Sequence, residues 1–145
     1  MDVTQHLVCK TDQVRSLEEA AIATGRTAEA LMETAGRAAF RALRQRWPRA
    51  NLITVYCGKG NNGGDGYVLA RMAKKGGLSV RLVSLSEPTT PEALAAKHRA
   101  LSAGLVAESH STELLKKTDI VVDALLGIGV SGGVREPMGS LVAEI

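Results

Sequence analysis

Apolar and polar residues change their rhythm near residue 50. Before it, apolar positions recur at helical spacing. Val14, Leu17 and Ala21 predict a helix over 11–24, opened by Thr11 or Asp12 and broken by Gly25. Thr27 caps a second helix, with Leu31, Ala35, Ala38 and Ala42 on one face, widened by Met32, Ala39 and Leu43. It has to stop before Pro48, because the residue ahead of proline avoids helical geometry. After residue 50, short apolar runs alternate with helical stretches. Leu52–Cys57 (LITVYC) reads as a buried strand. A glycine-rich loop over Gly58–Gly66 follows, and Asp65 is placed to cap a helix running through Lys75, stopped by Gly76 and Gly77. Ser79–Leu85 reads as a second strand. Thr90 and Pro91 open a helix that Gly104 closes. Leu105–Ala107 is a short third strand, Thr112–Lys117 a short helix, and Ile120–Leu125 a fourth strand. A second glycine-rich loop spans Gly127–Gly133, and Pro137 begins a last helical stretch.

Strands alternating with helices imply a parallel sheet covered on both faces. The expected class is α/β, a Rossmann-like three-layer α/β/α fold with a mostly parallel sheet and an α-helical N-terminus. In the common doubly wound order, the first and fourth strands are neighbours where the winding reverses. The two glycine loops follow those two strands. They therefore converge at the carboxyl edge of the sheet, where such folds bind ligands.

Composition narrows the function classes. The chain has 145 residues, enough for one domain with a real core. Hydrophobic residues make up 45% and charged residues 23%, an ordinary globular balance. No run approaches the roughly 20 apolar residues of a membrane span, and MDVTQHLVCKTDQ lacks the apolar centre of a secretory signal. No membrane association is expected. The net charge of +3 is mild, and Phe40, Trp47, Tyr56 and Tyr67 are scattered. A single-strand stacking platform is hard to assemble from them, so no nucleic-acid partner is expected. The excess charge suits an anionic small molecule. Cys9 and Cys57 show no metal-ligand spacing and are too few for a disulfide framework, which points to a reducing, cytoplasmic setting.

The candidate chemistry lies in the loops. Gly58, Gly60 and Gly63 form G-x-G-x-x-G between a strand and a helix. Glycines let a backbone approach a phosphate, and the helix N-terminus adds partial positive charge. A dehydrogenase would carry an acidic residue at the end of the second strand, and here only Glu87 comes near. No G-K-[ST] is present, so ordinary hydride transfer and nucleotide hydrolysis are both disfavoured. Asn61, Asn62 and Asp65 are more polar chemistry than a tight turn needs. His6, His98 and His110 are scattered, and His98 shares a helix face with Leu94 and Leu101, which reads as packing. Cys57 lacks a nearby base and reads as a small buried hydrophobe. No Ser-His-Asp or Cys-His constellation can be assembled.

GKGNNGGDGYVLARMA resembles the YjeF N-terminal domain family, the NAD(P)H-hydrate epimerases. Val122–Gly129 (VDALLGIG) and Leu31–Arg37 (LMETAGR) are similar to two further family segments, in family order. The resemblance implies an isomerase of nicotinamide-cofactor repair, which interconverts the R and S epimers of hydrated NADH and NADPH. It implies that Asn61, Asn62, Gly63, Gly64 and Asp65 bind this substrate, with Gly127, Ile128, Gly129, Val130, Ser131, Gly132 and Gly133 as a second binding loop. Ile128 stands where the family often has threonine. The resemblance also implies a potassium ion held by Asn62 and Asp123. Oxygen donors suit a hard cation, and a cation would offset the cost of a carboxylate buried at a strand end.

The family's acid–base aspartate lies in an Asp-x-Pro-Ser-Gly motif on a fifth strand, and that motif does not occur here. The expectation is therefore a YjeF N-terminal domain over 1–145, incomplete at its C-terminus, with an exposed sheet edge and little or no epimerase activity by itself. The catalytic residue is left unassigned. A fused dehydratase domain and a homodimer, with Met32 and Phe40 at the dimer surface, are further expectations. The alternative is a non-catalytic nucleotide-binding or dimerisation module of the same fold. The pairing of Asn61, Asn62, Asp65 and Asp123 favours the enzyme, since a scaffold needs none of them.

Overall fold

The computed structural model describes residues 8–145. Two helices come first: α1 (Thr11–Ala23) and α2 (Ala28–Arg46). Then β1 (Leu52–Cys57), α3 (Asn61–Lys75), β2 (Ser79–Ser84), α4 (Pro91–Ser102), the two-residue β3 (Ala107–Glu108), a 3-10 turn at Thr112–Leu114, β4 (Ile120–Ala124) and α5 (Met138–Glu144) follow. The expected caps form: Ala30 N donates to Thr27 Oγ1 at 3.1 Å, and Ala93 N to Thr90 Oγ1 at 3.4 Å. In α1 the cap is Lys10 instead of Thr11 or Asp12, and its amide donates to the Gln13 side chain.

The sheet is wholly parallel, in the order β3-β2-β1-β4. β1 is central and pairs with both β2 and β4. Five of its six residues are fully buried, which is what the unbroken apolar run LITVYC requires. The main core lies between one sheet face and α2, α3 and α4, where Ile53, Val55 and Cys57 meet Tyr67, Val68, Ala93 and Ala96. A smaller cluster of Tyr56, Val83, Leu125 and Leu141 packs under α5 on the other face. This is the expected three-layer α/β/α arrangement. Asp119 pins β4 to β1 from below: its carboxylate accepts from Asn51 N and Leu52 N at 2.8 and 2.9 Å. Those two bonds hold the Asp119 carboxyl below its ordinary range. Among the described residues β4 bonds only to β1 and forms one edge of the sheet.

Several sequence expectations need correction. On α2 the buried positions are Met32, Gly36 and Leu43, whereas Ala35, Ala38 and Ala42 are exposed. The reason is Gly36, whose missing side chain lets α2 lie on α3: a Cβ there would sit 2.5 Å from Val68 Cβ. Met32 and Phe40 consequently face the core instead of a dimer surface. His98, Leu94 and Leu101 form the outward face of α4, because the alanines on the opposite side let the helix approach the sheet. The third strand is Ala107–Glu108, displaced from Leu105–Ala107, and the Thr112–Lys117 helix shrinks to a 3-10 turn. His6 lies outside the described residues.

Candidate functional site

The first glycine loop is shorter than its sequence suggests. Helix α3 begins at Asn61 with Gly60 as its cap, so Asp65 is not a cap and Gly63, Gly64 and Gly66 lie inside the helix. Sequence propensity argues against three glycines in one helix. Tertiary contact overrides it. A Cβ at Gly63 would fall 2.0 Å from Gly58 O, at Gly64 2.4 Å from the Met32 side chain, and at Gly66 2.6 Å from Ala124 Cβ. Glycine thus brings the N-terminus of α3 hard against the ends of β1, β4 and α2. No side chain caps that N-terminus, so its first amides and its dipole are left to face the carboxyl edge of the sheet.

The two glycine loops meet as expected at the reversal point between β1 and β4. Gly58 N donates to Ala124 O at 3.0 Å, and a Cβ on Gly58 would lie 1.9 Å from Leu125 O. Asn62 reaches across: its Nδ2 donates to Leu126 O at 3.0 Å, and a Cβ on Gly127 would sit 3.1 Å from Asn62 Cβ. That leaves the Asn62 Oδ1 free of protein donors among the described residues. Asp123, at the end of β4, is exposed, and the expectation of a buried carboxylate fails. One of its oxygens accepts from Leu125 N at 2.9 Å, the loop-amide bond that closes the turn, and the other remains open. Asn62 Oδ1, the second Asp123 oxygen and main-chain carbonyls are hard oxygen donors of the kind that suit a cation without strong geometric demands.

Asn61 and Asp65 turn another way. The Asn61 amide is engaged at both ends, donating to Glu92 at 3.2 Å and accepting from Thr90 Oγ1 at 2.6 Å, so it joins α3 to the start of α4. Asp65 opens into a cavity of about 190 Å³ lined by Glu18, Ile22, Leu31, Met32, Asn61 and Glu92, among others. Burial, with the Glu18 carboxylate beside it, pushes the Asp65 carboxyl up to about 6. The site residues therefore divide: Asn62 lies against Leu126 and Gly127 just past the end of β4, the strand that carries Asp123, while Asn61 and Asp65 line the neighbouring cavity.

Beyond Gly127 the second loop runs exposed through Ile128, Gly129, Val130, Ser131, Gly132 and Gly133. Arg15 on α1 comes close to it, with Nη2 3.7 Å from where a Gly129 Cβ would stand. Sequence reasoning missed Arg15, Glu18 and Glu92. Nothing in their local spacing marks them; only the way α1 and α4 fold over the loops brings them near. Sequence reasoning also missed a relay on the opposite face. Tyr56 OH and His110 Nδ1 are 3.0 Å apart, and His110 Nε2 lies 3.1 Å from Glu144 on α5. Bonds from Thr112 and His110 hold the Glu144 carboxyl low. This set docks α5 beneath the sheet, away from the glycine loops. Cys57 is buried beside Gly66, and burial pushes its thiol up, as an inert packing residue requires.

Comparison with known proteins gives a consistent set of likenesses. A family model described as YjeF-related protein N-terminus matches residues 28–145. A bifunctional NAD(P)H-hydrate repair enzyme of Coxiella burnetii is 44% identical over 92% of this chain, which covers 28% of that protein. An NAD(P)H-hydrate epimerase of Rhodobacter capsulatus is 38% identical over 86% of this chain, covering 63% of its length. The crystal structure of the yeast protein ynu0 superposes with a TM-score of 0.86 at 26% identity, over 96% of this chain and 64% of that one. The chain thus spans between about a quarter and two thirds of these relatives.

Proposed function

The chain belongs to the YjeF-related N-terminal family, and from that premise we propose that it is the nucleotide-binding and epimerising part of an NAD(P)H-hydrate repair protein. The substrate is hydrated NADH or NADPH, and the product is the other epimer at C6. The observation that carries the reading is the meeting of the two glycine loops at the β1–β4 reversal point, with Asn62 bonded across to Leu126 O. The uncapped start of α3 suits the pyrophosphate, and Arg15 stands where it adds positive charge beside the second loop. The exposed Ile128 and Val130 give that loop an apolar side for a ring.

Epimerisation at a carbon bearing both hydroxyl and nitrogen proceeds through loss and return of hydroxide. It needs a group that gives a proton to the leaving oxygen and takes it back. Asp65, raised to about 6, holds a proton nearer to neutrality than an ordinary carboxyl does, but it lines the neighbouring cavity with Asn61 and Glu92, so the proton-transfer group stays unassigned. Asn62 and Asp123 would hold a potassium ion, which would supply fixed positive charge to the site. Two free cysteines, one exposed at Cys9, suit a reducing compartment, and the cytoplasm is the proposed setting. A fused dehydratase domain is proposed by analogy with the bifunctional relatives, and a homodimer remains part of the reading.

The test is chromatographic. The R form of hydrated NADPH is followed with and without protein, in potassium and in potassium-free buffer. Because the Asp-x-Pro-Ser-Gly motif does not occur in this sequence, the expected result is binding of the hydrate with at most weak R-to-S conversion, both diminished in Asn62→Ala. Dinucleotide binding without any acceleration favours the non-catalytic module instead. Neither binding nor acceleration rejects the assignment.

A further inference from the structure

A second cavity opens at the amino edge of the sheet, where the proposed chemistry has no part. It holds about 330 Å³ and is lined by Arg46, Trp47, Pro48, Arg49, Asp119 and Ile120, among others. The six residues of β1 separate it from the glycine loops, about 20 Å at the usual rise per residue. Trp47 keeps 50% of its surface in water. An indole placed so offers a flat apolar ring to a ligand. Its backbone is fixed on both sides: Trp47 N donates to Leu43 O at 2.9 Å, Ala50 N to Trp47 O at 3.2 Å, and Arg44 Nη1 closes the turn on Ala50 O at 3.1 Å. Pro48 locks the next φ. The ring is held in place before any ligand arrives, which lowers the entropy lost on binding.

Charge gives the cavity a direction. Arg46 and Arg49 are exposed, and neither meets a carboxylate among the described residues. Arg46 lies in the last turn of α2, where positive charge offsets the helix dipole. That accounts for Arg46 alone. Arg49 stands beyond the helix, past Pro48, and the open indole has no share in the dipole. Asp119 is the acid of the lining, and one of its oxygens is committed to the amides of Asn51 and Leu52. Its other oxygen has no protein donor among the described residues and remains an acceptor. The cavity therefore presents a ring, two planar guanidinium forks and one acceptor. Two guanidinium charges match a phosphate dianion, which they can hold by paired N–H donors. The volume lies at the small end of the range for small-molecule sites.

We propose that this cavity is a second ligand site, for a planar ring carrying a phosphate and of about mononucleotide size. The ring stacks on Trp47, Arg46 and Arg49 hold the phosphate, and the open Asp119 oxygen accepts from a hydroxyl or amino group of the ligand. The site is separate from the glycine loops and does not depend on what they bind.

Trp47 is the chain's single tryptophan, so its emission reports on this cavity directly. The test titrates the full chain with AMP, adenosine and inorganic phosphate and follows that emission. AMP is expected to change it saturably, with adenosine and phosphate each at least about tenfold weaker, since each lacks one of the two main contacts. Arg49→Gln, at an exposed position, is expected to weaken AMP by about tenfold. Asn62→Ala, which damages the glycine-loop site, is expected to leave the response in place. Adenosine or phosphate matching AMP, no response at millimolar AMP, an affinity unchanged in Arg49→Gln, or a response lost in Asn62→Ala each overturns the second site. All four leave the glycine-loop reading standing.

Discussion

At the scale of single residues, Asp65 shows how one environment sets one proton. Its carboxyl faces a cavity beside Glu18, and no protein donor among the described residues reaches it. Its ordinary value is 3.8 and its folded value about 6, so between these the folded chain holds more proton than the unfolded one. The contribution of Asp65 to stability therefore falls as pH rises through that window, and the penalty is complete above it. Linkage alone would put the penalty near 3 kcal/mol; solvent screening at a half-buried group reduces it to about 1 kcal/mol. Asp65→Asn is expected to stabilise the fold by about 1 kcal/mol at pH 7.5 and by nothing below about pH 4, measured by urea unfolding at both values. Equal effects at both values remove the electrostatic explanation. The presence of Asp65 in a polar motif is legible in sequence. Its direction is not, because it depends on where α3 starts.

At the scale of elements, close packing explains why α3 tolerates its glycines. The sequence places a turn over Gly58–Gly66, and local propensity supports that reading. The helix begins earlier because Gly63, Gly64 and Gly66 let it touch Gly58, Met32 and Ala124. Gly63→Ala and Gly58→Ala are each expected to cost about 1–3 kcal/mol in thermal or chemical unfolding, since backbone cannot give way as a side chain can. Gly60→Ala meets nothing within 4 Å and keeps an ordinary extended φ of −95°. It is expected to cost no more than about 1 kcal/mol, the ordinary difference between glycine and alanine at a helix N-cap, and less than Gly63→Ala. Equal losses at Gly60 and Gly63 contradict the packing account. The same logic reverses the expected face of α2: Gly36 is the contact, so the alanine row turns to solvent. Between elements, Arg71 on α3 meets both Glu33 oxygens on α2 at 2.6 Å, and Arg99 on α4 pairs with Glu29 and Glu33, which fixes the three helices on the sheet.

At the scale of the whole molecule, stability is uneven. β1 and α3 carry most of the fully buried residues, whereas α1 buries none and leaves Leu17 61% exposed. A helix of 13 residues gains little from propensity alone. Amide hydrogen exchange is expected to be fast throughout α1 and slowest in β1 and the middle of α3. Protection in α1 equal to that of β1 would contradict this, and would show α1 packed more firmly than its burial indicates. Because α1 brings Arg15 and Glu18 to the loops, ligand binding is expected to slow its exchange. No helix among the described residues is long and apolar enough to cross a membrane.

Period, caps and glycine motifs were enough to determine the α/β class, the near-complete list of elements, and the convergence of two loops at the β1–β4 reversal. These follow from local patterns and from the handedness that any parallel crossover obeys. Tertiary structure alone decided the rest: where α3 begins, which face of α2 is buried, that Asp123 is exposed, and that Asn61 and Asp65 face a cavity beside Asn62. It also placed Lys97 beside Glu87, ten positions apart, and Arg15 beside Gly129. The physical reason is the same in each case. A backbone that comes within contact distance of another sets the rotation of every side chain on its element, and the sequence records the permissive glycine but not the partner it admits.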